Sequence, residues 1–106
     1  MQTLDNQNWE QGCVGGKEPF FLKRKLSSEE KGIDISILKL EPNTAYPHHS
    51  HEFKEWIYVL SGEMKDERGD YKEGDLIINE IGSEHQVTSG TNGTQMLVIK
   101  YLGENK

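Results

Sequence analysis

Between Phe20 and Tyr101 apolar residues never recur at the spacing of a helix face; they come in short runs cut by glycine or proline. That texture restricts the chain to brief strands joined by tight turns, and so to a β sandwich or barrel. Ile33, Ile35 and Ile37 alternate with Asp34 and Ser36, the period of a half-buried strand, before Leu38 and Leu40 take the other parity. Either a bulge or burial of both faces accounts for that switch.

Further strands are expected at residues 20–26, 76–78, 86–88 and 96–102. Residues 56–60 are apolar throughout and predict a strand covered on both faces. Pro42 and Pro47 bracket a turn, Arg68-Gly69 marks a hairpin, residues 89–93 read as another turn, and 27–31 form at most a turn. Seven of the eleven glycines lie beyond residue 60, so the turns are densest in the second half. Residues 1–19 are polar and glycine-rich, and read as an irregular N-terminal arm ahead of one barrel domain spanning 20–106.

A chain of 106 residues has room for one domain, and with only 33% hydrophobic residues its core is thin. A bound metal or a second copy of the chain would add stability, and a homodimer is expected. The net charge of −6 opposes nucleic acid and anionic membranes, which attract basic surfaces. Cys13, the only cysteine, excludes an intrachain disulfide and reads as inert, having no basic neighbour to lower its thiol pKa. The first residues lack the basic start and apolar run of a signal peptide, and no stretch has the length of a membrane span. The expected compartment is the cytoplasm. Residues 23–25, Lys-Arg-Lys, read as an exposed strand face.

The chemistry is concentrated in the histidines. His48, His49 and His51 lie together and His85 lies alone. His49 and His51 share a strand face by parity and Glu55 shares it too, whereas His48 does not and is expected to face solvent. Neutral imidazoles with a carboxylate suit a first-row divalent metal: iron(II), zinc, manganese(II) or nickel(II). The expected ligands are His49, His51, Glu55 and His85, with positions left for water or a small-molecule substrate. Glu55 is also the candidate catalytic base. Glu80 and Glu84 read as solvated loop carboxylates, and Phe53, Trp56 and Tyr58 as packing rather than pocket residues.

The array His49-x-His51-x3-Glu55-x6-Gly62 resembles the first cupin motif, and Gly74-x5-Glu80-x-Gly82-x2-His85-x3-Ser89 the second. Glu80 stands where the family usually has proline and Ser89 where it usually has asparagine; neither is a ligand position. The runs 46–51, 58–63 and 66–71, with 82–85, are similar to the ChrR-like small cupins. The resemblance covers about residues 20–101 and implies an all-β, single-domain cupin barrel, or jelly roll.

For function it implies two jobs. One is that of the zinc-binding half of anti-sigma factors that respond to singlet oxygen, a regulatory or ligand-sensing module without turnover. The other is that of iron(II) dioxygenases that cleave β-diketones, in which three histidines alone hold the metal and Glu55 would stand behind them. The leading expectation is an oxygenase-type enzyme acting on an enolisable ketone or catechol-like molecule. A sugar isomerase or epimerase is a further alternative.

Overall fold

The computed structural model describes residues 9–14, 16–26 and 32–103, and all of its regular elements are strands. In chain order they are β1 (Glu10–Val14), β2 (Lys17–Lys25), β3 (Ile33–Leu40), β4 (His49–Ser50), β5 (Lys54–Asp66), β6 (Gly69–Lys72), β7 (Leu76–Asn79), β8 (Glu84–His85) and β9 (Thr88–Tyr101). One sheet runs β1-β2-β3-β9-β5-β6, with β7 added against β5; the other is the pair β4-β8. All pairings are antiparallel. No helix among the described residues is long and apolar enough to cross a membrane.

The core lies where β5 and β9 face the short sheet. Ile57, Val59 and Met64 from β5 meet Met96 and Val98 from β9, closed by Leu40, Tyr46, Ile77 and Val87. Tyr46 is only 2% exposed and its hydroxyl accepts a hydrogen bond from Glu41 N at 2.9 Å, so the buried phenol is satisfied. Gly62 interrupts β5 at a φ of 79°, and a Cβ there would collide with Gly93 O on β9. Register shifts on either side let the two longest strands bend around the barrel together.

The parity switch in β3 is resolved by burial. This strand pairs with β2 and β9 without a shift, and its middle residues Ser36 and Ile37, on opposite faces, are both buried. Residues 56–60 differ from the expected doubly covered strand: Ile57 and Val59 are buried, but Tyr58 on the other face is 43% exposed. The expected turn at 89–93 is part of β9: Thr88 and Ser89 pair with Lys65 and Met64 of β5, and after a register shift the ladder resumes at Thr94, opposite Gly62 of β5 and Leu40 of β3. The strand expected at 86–88 breaks between β8 and β9.

The expected irregular arm is partly regular. Glu10–Val14 and the start of β2 pair through main-chain hydrogen bonds, which need no apolar periodicity and left no trace in the sequence pattern. Trp9 packs beneath the Lys39 ammonium, 4.7 Å from the ring centre. Residues 1–8 and 27–31 lie outside the described residues, as does the turn expected at 27–31. Arg24 is 6% exposed, so residues 23–25 do not form a uniformly solvated face.

Candidate metal centre

The two-residue ladder between β4 and β8 assembles the site. It sets His49 directly opposite His85, joining histidines far apart in sequence. Two backbone bonds extend the pairing: His51 N donates to Ser83 O at 3.0 Å, and Gly82 N to His51 O at 2.8 Å. Gly82 adopts a positive φ of 86° in the turn that brings the chain into β8. The three rings stack edge to face with centroids 4.5–5.0 Å apart. One ligand atom from each of His49, His51 and His85 lies within 4.8 Å of the others.

Hydrogen bonds on the far side of each ring fix its tautomer. His51 Nδ1 lies 2.9 Å from Ser83 O, and His49 Nδ1 lies 3.2 Å from Pro47 O. A carbonyl oxygen only accepts, so each Nδ1 carries the proton and each Nε2 a free lone pair. His85 Nδ1 lies 3.0 Å from the Asp66 carboxylate, with the same consequence. Burial lowers the pKa of His49 and His85 below the ordinary 6.5, which favours neutral, ligating imidazoles.

Those tautomers leave a deficit that a cation would fill. His49 Nε2 and His85 Nε2 stand 3.1 Å apart, lone pair to lone pair. His51 Nε2 is buried without a hydrogen-bond partner. An unmet buried polar atom costs about 1–3 kcal/mol. A proton shared by His49 and His85 would relieve one contact and leave His51 unmet. A divalent ion between the three nitrogens satisfies them all, so the donor set fits a first-row metal.

Glu55 stands outside this group of mutually close donors. Its Oε1 is 3.6 Å from His51 Nε2 and accepts a hydrogen bond from Asn79 Nδ2 at 3.0 Å. The bond follows from register, since Glu55 and Asn79 are partners across β5 and β7. Arg68 Nη2 donates to Asn79 Oδ1 at 2.6 Å and to Asp66 Oδ2 at 2.8 Å, and Arg68 Nη1 donates to Ile78 O at 3.1 Å. A polar chain thus runs behind the histidines from His85 through Asp66, Arg68 and Asn79 to Glu55, which faces His51.

Asp66 anchors that chain with a side chain only 1% exposed. Burial pushes its pKa up, but the hydrogen bonds from Arg68 and His85 outweigh this and hold it at about 2, below the ordinary 3.8. Tyr71 donates a further bond to Asp66 at 3.1 Å. Glu67, in the turn between β5 and β6, accepts from Gln86 N and ties the same hairpin to the residue after His85. Asp66, Arg68 and Asn79 were not among the expected site residues. The run Asp-Glu-Arg-Gly carried a partial signal, since Asp66 Oδ1 accepts from Arg68 N within the turn; a long-range bond to His85 leaves no mark in local sequence.

The remaining candidates sort by exposure. His48 faces outward, its imidazole 3.6 Å from Glu84. Glu80 pairs with Lys54 at 3.5 Å on the surface. Phe53 lines the cavity beside the histidines, whereas Trp56 lies under the Lys54 ammonium and Tyr58 is exposed. That cavity, about 630 Å³, is bounded by His49, His51, Glu55 and His85 together with apolar residues such as Ile57, Met64 and Met96. Cys13, half-buried, also lines it.

Residues 3–103 match the model of the ChrR cupin-like domain family. An acetylacetone dioxygenase from Acinetobacter johnsonii superposes with a TM-score of 0.78 at 14% identity, covering 97% of this chain and 73% of that one. ChrR, the anti-sigma protein in complex with Rhodobacter sphaeroides SigE, gives 0.75 at 20% identity over 94% of this chain and 52% of that one. The polyketide cyclase RemF from Streptomyces resistomycificus gives 0.74 at 22% identity, covering 100% and 82%. These likenesses show a shared fold. A candidate dimethylsulfoniopropionate lyase, DddL of Cereibacter sphaeroides, is 31% identical over 74 residues, 68% of this chain and 32% of that protein. The chain therefore spans about a third of the length of that curated relative. With the two-sheet β architecture and the family match over nearly its whole length, the chain belongs to the ChrR cupin-like domain family.

Proposed function

We propose that this chain is a metal-dependent enzyme of the oxygenase type that acts on a small enolisable ketone or catechol-like molecule. One observation carries the reading: three imidazole lone pairs converge, one of them buried and without a partner, on the wall of a 630 Å³ cavity. His49, His51 and His85 would hold the ion through Nε2, and three neutral donors leave coordination positions for a substrate. A divalent metal supplies Lewis acidity toward a substrate oxygen, and iron(II) adds reactivity toward dioxygen.

The chain's own residues supply the rest. Glu55, on the cavity wall and oriented by Asn79, is placed to take the proton that an enolisable carbon gives up. Asp66 holds His85 in the ligating tautomer, and Arg68 links Asp66 to Asn79 so that the two sides of the site keep their spacing. The apolar walls keep water from competing for the substrate. The shared fold with an acetylacetone dioxygenase supports this reading. An oxygen electrode with iron-reconstituted protein and a panel of β-diketones and aromatic diols tests it. Uptake above buffer is expected with at least one member, and none across the panel would overturn the oxygenase assignment.

A zinc-holding regulatory module is the second reading, favoured by the ChrR family match and by Glu55 standing near enough to His51 to become a fourth ligand after a small shift. Zinc co-purifying at one equivalent, with no exchangeable water on it, would favour this alternative.

A further inference from the structure

We infer that Asn79, its amide oriented by Arg68, is a positioning residue that holds the Glu55 carboxylate back from an ion on the three histidines, a role that rests on the metal site proposed above. The centre is thereby kept open, with His49, His51 and His85 as its protein ligands.

Arg68 dictates which way the Asn79 amide points. A guanidinium only donates, so the atom of Asn79 that Arg68 Nη2 meets at 2.6 Å is the amide oxygen. The amide nitrogen is turned the other way, where Nδ2 donates to Glu55 Oε1 at 3.0 Å. Arg68 is itself fixed, with Nη2 on Asp66 Oδ2 at 2.8 Å and Nη1 on Ile78 O at 3.1 Å. Asn79 is 1% exposed, so water offers its amide no other partner.

The oxygen that Asn79 engages is the one closest to the histidine cluster. Glu55 Oε1 comes within 3.6 Å of His51 Nε2. From there a small shift would bring it among the ligand atoms, yet the group of mutually close donors consists of His49, His51 and His85 alone. The shift is opposed by the amide: moving Oε1 toward the ion breaks its bond to Nδ2 and leaves a buried donor unmet. The guanidinium on the far side of the amide polarises it and strengthens the donation. Held in this way, Glu55 leaves a coordination position for water or substrate. Released, it would close the centre as a fourth protein ligand.

Zinc affinity of Asn79→Leu, measured by chelator competition with and without Glu55→Gln, tests this role. Leucine fills nearly the same space and lacks the donor. Removing a polar group behind a metal site ordinarily weakens binding by about 10–100-fold. Asn79→Leu is expected instead to tighten zinc binding roughly tenfold, and Glu55→Gln added to it to cancel the gain. Asn79→Ala, which lacks the same donor without the leucine side chain, should reproduce the gain. Glu55→Gln alone should bind zinc as the parent does. Loaded with manganese(II), the parent and Glu55→Gln should relax water protons equally, because Glu55 occupies no coordination position; this comparison requires no change at Asn79. Weaker or unchanged zinc binding in both Asn79 variants, a gain that persists without Glu55, or a difference between the parent and Glu55→Gln in either measurement would overturn the inference. None of these readings involves dioxygen. A Glu55-dependent gain in a protein that consumes no oxygen leaves the role of Asn79 standing and sinks the oxygenase reading, whereas oxygen uptake by a protein whose Asn79 variants bind zinc more weakly does the reverse.

Discussion

His85 Nδ1 and Asp66 Oδ2 lie 3.0 Å apart, both side chains almost wholly buried, in a contact that joins β8 to the far end of β5. Asp66 thereby fixes the direction in which His85 offers its lone pair. Replacing it with asparagine removes the charge that holds the tautomer and weakens the bond to Arg68. Asp66→Asn is expected to lower metal affinity by about 10–100-fold, the usual effect of losing a carboxylate behind a histidine ligand. Competition against a chromophoric chelator measures this. Unchanged affinity would show that the tautomer is set without Asp66.

Glu55 separates a ligand from a base. Its carboxylate lies outside the three-histidine group and is anchored by Asn79. Glu55→Gln is expected to keep one metal per chain while lowering turnover about 10²–10⁴-fold, the contribution of a general base. Loss of the metal in Glu55→Gln would instead make the residue a ligand. Metal content and turnover, determined on the same preparation, decide between the two.

Acid should destabilise the metal-free protein in two stages. Burial holds His49 and His85 below 6.5, so as pH falls past 6.5 the unfolded chain takes up protons that the folded one refuses, and stability drops. Asp66 is depressed from 3.8 to about 2; its contribution is complete above 3.8 and is lost as pH falls from there toward 2. That second stage amounts to ~2 kcal/mol. Urea midpoints across this range should show both stages, and Asp66→Asn should remove only the lower one. A flat profile below pH 6.5 would contradict the burial of neutral imidazoles.

The outer face of the β7-β5-β9 sheet leads to an expectation about assembly. Trp56 pairs with Ile78 and Tyr58 with Leu76, and Tyr58, Leu76 and Ile78 are 43%, 59% and 44% exposed. An apolar strip of this kind at the edge of a sheet is costly in water and suited to a second copy of the chain. Sedimentation at micromolar concentration is expected to give a dimer that Tyr58→Lys dissociates. A monomeric parent protein would remove the homodimer from the account.

How much of this was legible in the sequence depends on the kind of interaction. Alternation in residues 33–37, the glycine punctuation and the shared parity of His49 and His51 reflect local rules and led to an all-β chain, whereas the cupin barrel and the place of His85 beside the other two histidines were legible only through the resemblance to the two cupin motifs. β1 was missed because a main-chain ladder needs no apolar side chains, and the bend at 89–93 resembled a turn because Gly93 marks a curve within a continuous strand. Trp56 and Tyr58 were read as covered because an apolar run does not say which of its faces meets solvent. Asp66, Arg68 and Asn79 escaped notice because their bonds join β5, β7 and β8 across the fold.

The most direct test is elemental analysis of protein purified without added metal, repeated on His51→Ala. About one equivalent of a first-row metal in the parent chain is expected, with most of it lost in the variant together with thermal stability, because an ion bound only by the folded state stabilises that state. Equal metal content in the two proteins, or a parent that takes up no metal even on reconstitution, would contradict a centre built on these three histidines.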